Sequence, residues 1–148
     1  MAAEYSYNAL QEVALNSPVI LSATIPCTCG YVYHEDDTGI FILRGITNNC
    51  FATYQITFNG NIAIPADGTL APIAVALTVN GEIRPISKAI YSPADVAEFG
   101  NVTSTAIIQI PRGCCFSVAV EAVAANTTDM PAPAIEVENA NLVINRIA

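Results

Sequence analysis

Apolar and polar residues alternate with a period of two through most of this chain, and turn residues cut the alternation into short runs. The longest run is Phe51 to Ile64. Phe51, Thr53, Gln55 and Thr57 form one set, Ala52, Tyr54, Ile56 and Phe58 the other, with Asn59-Gly60 a bend or bulge candidate inside it. Val19 to Ile25 predicts a strand stopped by Pro26, and Ile40 to Leu43 a short one after the turn Glu35-Asp36-Asp37-Thr38-Gly39. A linker, Gly45 to Asn49, leads into the long strand, and Pro65 to Gly68 forms the turn beyond it. Pro72 to Val79 places Ile73, Val75, Leu77 and Val79 inward and Ala74, Ala76 and Thr78 on the other face. Asn80-Gly81 then predicts a type I′ hairpin, whose two central residues both need positive φ. The chain returns over Glu82 to Ile90.

Further strands are expected over Thr103 to Ile110, Cys115 to Ala124 and Ala140 to Ile147. Pro111-Arg112-Gly113 forms a turn, and Asn126 to Pro133 a loop. Helical signal is sparse. Asn8 to Leu15 offers a weak face of Leu10, Val13 and Ala14, ended by Asn16-Ser17-Pro18, and reads equally as an extended arm. Ser92 to Glu98 has the cap for one helical turn, with Ser92 at the N-cap and Pro93 first. Many strands spaced by turns, without an internal repeat, predict an all-β domain: a sandwich, jelly roll or barrel. Residues 1–18 are expected as an N-terminal arm or short helix and 19–148 as the β domain.

Composition sharpens the picture. Hydrophobic residues make up 53% of the 148 positions and charged residues only 12%, against about a quarter in ordinary soluble domains. A surface so poor in charge is either neutral and polar or buried against other subunits, and apolar positions on both faces of several strands favour burial. The net charge of −8 argues against nucleic acid, whose phosphates call for a basic patch, and against anionic membrane surfaces. No apolar run approaches the roughly 18 residues of a membrane span. The first residues lack the basic and apolar segments of a signal peptide, so synthesis in the cytoplasm is expected.

Candidate chemistry is thin. Cys27, Cys29, Cys50, Cys114 and Cys115 are an odd set without a secretion signal, and read as reduced thiols packed as small hydrophobes. Cys27-Thr28-Cys29 near His34 is not the spacing of a zinc knuckle. Glu35-Asp36-Asp37 lacks the spaced carboxylates of a calcium loop, and His34 is expected to be a solvated loop residue. No nucleophile sits in a recognisable elbow. Neither catalytic residues, metal nor cofactor is expected.

Several segments together carry a resemblance. The acidic turn with Thr38-Gly39-Ile40-Phe41, followed by Phe51-x-x-Tyr54, resembles the tumour-necrosis-factor and complement globular-head superfamily. Val75 to Gly81, Thr105 to Gly113 and Asn141 to Ile144 resemble three later strands of that family in the same order. The likeness covers residues 19–148 and departs from the pattern at Gly45 to Asn49, where the family usually has a proline-glycine turn. It implies an antiparallel jelly-roll sandwich and a tight homotrimer, as in phage head decoration proteins and the tips of bacterial spore-surface trimers. Small Ala74 and Ala76 would then allow close approach of neighbours, with Tyr54 and Phe116 also at the trimer interface.

The resulting expectation is a structural virion protein: a homotrimeric decoration subunit on a tailed-phage head, made in the host cytoplasm, with the major capsid protein as partner. Tyr5, Tyr7, Leu10, Val13 and Leu15 of the arm would contact the capsid, so deleting residues 1–16 should leave a folded trimer that no longer binds particles. A bacterial spore- or cell-surface trimer is the alternative, although the chain has no collagen-like stalk. A carbohydrate-binding module is the second, weakened by the absence of Trp.

Overall fold

Alternation of this kind can bury one face of a sheet only against a second sheet, and the computed structural model, which describes residues 2–27, 30–125 and 134–148, has that form. In chain order the strands are β1 (Ala2–Tyr7), β2 (Gln11–Ala14), β3 (Ser22–Ile25), β4 (Val32–His34), β5 (Phe41–Arg44) and β6 (Phe51–Ala63). They continue as β7 (Ile73–Val79), β8 (Glu82–Ile83), β9 (Ala89–Tyr91), β10 (Gly100–Pro111), β11 (Cys115–Ala124) and β12 (Ala134–Arg146). Sheet 1 runs β10-β6-β12-β1-β3, with β2 on β12; sheet 2 runs β4-β5-β11-β7-β8, with β9 on β7. Every pairing is antiparallel. The fold is a jelly-roll sandwich.

Its core is the inward set of each strand. Tyr54, Ile56 and Phe58 of β6 meet Phe41, Leu43 and Leu77 of the opposite sheet, all fully buried. The Tyr54 hydroxyl keeps a polar partner there, donating to the Arg44 carbonyl at 2.6 Å, while the Arg146 guanidinium lies over the Tyr31 ring at 4.4 Å. Asn80 and Gly81 both take positive φ, 52° and 84°, as the type I′ turn requires.

The N-terminus departs from expectation. Residues 2–14 are neither a helix nor a free arm but two strands laid end to end along β12, with Tyr5 opposite Leu142 and Val13 opposite Ile135. Ala3, Tyr5 and Val13 are core residues. A helix would have had two strong apolar anchors; the strands bury Val13, and the Gln11 amide both accepts from and donates to the Ile20 backbone. Tertiary pairing overrides a weak local preference.

Residues 16–21 then cross between the sheets. Asn16 and Val19 donate backbone hydrogen bonds to Ala122 and Val120 of sheet 2, Leu21 to Thr38, and from Ser22 the chain pairs in sheet 1. The expected strand Val19 to Ile25 is therefore a corner followed by a strand.

Two other expectations fail locally. Glu82 to Ile90 is not continuous: Pro85 has no N–H to offer a ladder, and a 3-10 turn over Pro85–Ser87 divides it. There the Ser87 hydroxyl accepts from Leu77 N and donates to Arg84 O. Ser92 to Glu98 forms bends and turns, not a helical turn. The bulge foreseen at Asn59-Gly60 is present, but its extra residue sits on the partner strand. Asn139 (φ 55°) and Ala140 of β12 together face Gly60, where a Cβ would come 3.0 Å from the Phe58 ring. The predicted loop Asn126 to Pro133 lies outside the described residues.

Candidate functional site

Because β6, β10 and β12 send their apolar sets inward, their other sets define the outer face of sheet 1. From β6 it receives Thr53, Gln55, Thr57, Asn59 and Asn61; from β10, Asn101, Thr103, Thr105, Ile107 and Gln109. Past the bulge, β12 adds Asn141, Val143 and Asn145. None of these side chains is charged, and the face is bounded by Glu138, opposite Asn61, and Glu4, opposite Val143. They bond one another across the strands: Thr57 to Thr105 at 3.2 Å, and Asn101 to Asn59 at 2.7 Å. Ile107 and Phe51 are 54% and 45% exposed beside them. Burying neutral groups that already satisfy one another costs far less than burying charge, and interface centres are depleted of charge.

The residues expected at a trimer interface lie elsewhere. Tyr54 is fully buried between the sheets, and Ala74 and Ala76 are 1% exposed, packed with Val123 and Ala125 in a small apolar cluster within the chain. Phe116 is half-buried against the core. Nor do the five arm residues form a surface. Tyr5 and Val13 are core, Tyr7 and Leu15 are half-buried, and only Leu10 is largely exposed. The missed signal was the uncharged polar run at every second position, Thr53 to Asn61 and Asn101 to Thr105. It is readable in the sequence once the inward set is fixed.

His34 is not a solvated loop residue. It sits at the end of β4, stacked on Phe41 (4.1 Å between centroids, 7° between planes), with Tyr5 edge-on at 4.9 Å. Its Nε2 lies 2.9 Å from the Thr38 carbonyl. The acidic turn is a fastening: Asp36 accepts from Ala23 N, and Asp37 from the Ser22 hydroxyl, tying sheet 2 to β3. Among the described residues no group of three or more His, Cys, Asp or Glu converges to hold a metal. The cysteines are less buried than expected, with Cys50, Cys114 and Cys115 exposed and Cys27 half-buried; Cys29 lies outside the described residues. No helix among those residues is long and apolar enough to cross a membrane.

Burial pushes the Tyr5 hydroxyl up to about 12 from 10.0; the Cys27 thiol and Asp36 carboxyl add to the shift, and a backbone hydrogen bond at Cys27 opposes it. Burial also raises Tyr54, against the lowering influence of Arg146. A raised acid favours its neutral form in the folded state, so its contribution is complete below pH 10 and is lost as pH climbs toward about 12. The urea midpoint should fall over that window, and fall less steeply in Tyr5→Phe; an unchanged slope in that variant would contradict the assignment.

The two-sheet antiparallel sandwich has the jelly-roll fold also seen in tumour-necrosis-factor and complement globular-head structures. Solved structures with the same fold include the globular domain of the zebrafish complement 1qA protein, at 12% identity over 99% of this chain and 97% of that one, TM-score 0.64. Eiger TNF from S. frugiperda gives 13% identity, 100% and 92% coverage and a TM-score of 0.67. Murine APRIL gives 11%, 99% and 100%, and 0.63. At these identities the likeness is one of fold. No protein-family model matches the chain, and neither does any curated protein sequence.

Proposed function

We propose that this chain is a non-enzymatic structural subunit that associates with itself, as a homotrimer, through the outer face of sheet 1. The observation that carries the reading is the uncharged, cross-bonded stretch of β10, β6 and the half of β12 beyond the bulge. An isolated domain gains nothing from a wide face without charge, whereas an assembling one avoids desolvating ions there. The charge-poor composition and the jelly-roll fold support the same view. The use we assign to the assembly is decoration of a tailed-phage head, on the outer surface of the virion and against the major capsid protein.

Light scattering should give a mass of three chains for the wild type and one chain for Thr57→Glu, which sets a carboxylate at the centre of the face, with circular dichroism unchanged. A wild-type monomer at micromolar concentration, or a variant that still associates, refutes the interface. Undecorated heads from a phage whose genome encodes the chain should take up the protein on sedimentation. Protein left in the supernatant refutes the decoration role and leaves the interface intact.

A further inference from the structure

The outward residues of sheet 2 form a different kind of surface. Pairing places Tyr33 beside Ile42, Ile42 beside Ser117, and Ala119 beside Thr78. The floor is therefore small, whereas Tyr33 and Ile40 stand above it, each 53% exposed. Two hollows result, and they share Ile40. One of about 300 Å³ lies between Tyr33, Thr38 and Ile42, with Glu35 in its wall. The other, of about 120 Å³, lies over Thr78 and Ala119, with Glu121 in its wall. They adjoin on the outward face of sheet 2 with Ile40 as their common wall, a shallow groove interrupted at that side chain.

Its charge has one sign. Glu35 and Glu121 line it, Asp36 and Asp37 continue the acidic end, and no Lys or Arg lines either hollow. The four carboxylates accept hydrogen bonds from neutral groups: the Tyr33 hydroxyl, Ala23 N, and the Ser22 and Thr78 hydroxyls. No ion pair among the described residues neutralises them, although Arg44 shares the outward row of β5 with Ile42, and the chain's net charge is −8. Complementary potential selects and steers a partner, while the apolar hollows supply a place for an anchoring side chain.

The geometry points to a docking groove for an extended segment of a partner protein that carries a bulky aliphatic side chain flanked by Lys or Arg. An acidic segment of a second copy would be repelled from this groove. The groove lies on the sheet opposite the proposed self-association face, so the inference goes beyond that reading and stands without it.

The test uses two short synthetic peptides, one with a central leucine flanked by lysines, the other with glutamates in place of the lysines. Binding is followed through the methyl signals of Ile40 and Ile42 and the amide of Ala119. The lysine peptide should shift these signals and the glutamate peptide should not. Glu35→Gln with Glu121→Gln should weaken binding about tenfold, and Ile40→Ala should remove the response while signals from sheet 1 stay in place. Equal response to both peptides, no response to either, or shifts mapping to sheet 1 overturn the inference. So does a concentration-dependent shift of the same signals without peptide, which would assign the groove to a second copy. The light-scattering mass is unaffected by either result, which separates this test from that of the trimer.

Discussion

A chain lacking residues 1–16 is expected not to fold. β1 lies inside sheet 1 with β12 on one side and β3 on the other, and β3 pairs with no other strand among the described residues. Deletion strips one side of β12 and leaves β3 without a ladder. It also removes Ala3, Tyr5 and Val13 from the core, where they are 2%, 3% and 3% exposed. Large buried side chains contribute roughly 1.5–3 kcal/mol each, so Tyr5 and Val13 alone approach the roughly 5 kcal/mol at the lower end of domain stability. Circular dichroism of the truncated chain should lack the β signal, and limited proteolysis should degrade it completely. A protease-resistant, β-rich product would restore the separable arm expected from sequence. The prediction inverts that expectation because pairing with the far end of the chain turned a weak local segment into an interior strand.

Phe41→Ala should be the most damaging single substitution among the aromatic residues near the site. Phe41 is fully buried, stacks on His34 of its own sheet and meets Tyr5 of the other at 4.6 Å, 71° between planes. The ring therefore joins the two sheets at one point. Its loss should cost about 3–5 kcal/mol from cavity formation and lost burial. Water entering beside His34 Nδ1, which is buried without a hydrogen-bond partner, would offset part of that loss. Phe41→Leu keeps most of the volume and should lose about 1–2 kcal/mol. Urea unfolding should show the midpoint falling in that order with an unchanged slope. A loss under about 1 kcal/mol for Phe41→Ala would mean that the cavity collapses freely.

The strands of the sandwich were legible wherever alternation was long. β6 and β10 follow the period of two, β7 and β11 are apolar runs buried on both faces over much of their length, and Asn80-Gly81 dictated its own turn. The N-terminal strands were not legible, because four residues from Gln11 to Ala14 carry little pattern and their partner, Ala134 to Val137, is at the other end of the chain. His34 was misread for a related reason: its packing comes from Phe41 and Tyr5, which only the fold brings together. The proposed self-association face was half legible. Its residues form the polar set of a strand evident from its alternation, whereas small size alone pointed to Ala74 and Ala76, which the chain itself covers. The groove on sheet 2 was out of reach, since Ile40 and Ala119 become neighbours only when β5 lies beside β11.

The bulge at Asn139 has a consequence for the ions on sheet 1. Before it, β12 presents Glu136 and Glu138 outward, with Glu136 directly opposite Glu12 of β2. After it, the same face continues as Asn141, Val143 and Asn145. The additional residue keeps both halves in phase, so that Ile135 and Val137, and then Leu142 and Ile144, all point inward. It also marks a frontier on the sheet: facing carboxylates at Glu136 and Glu12 on one side, and on the other a neutral stretch of β12 and β6 whose margin is Glu4, opposite Val143. If the proposed self-association uses this face, a single inserted residue sets where its neutral stretch ends.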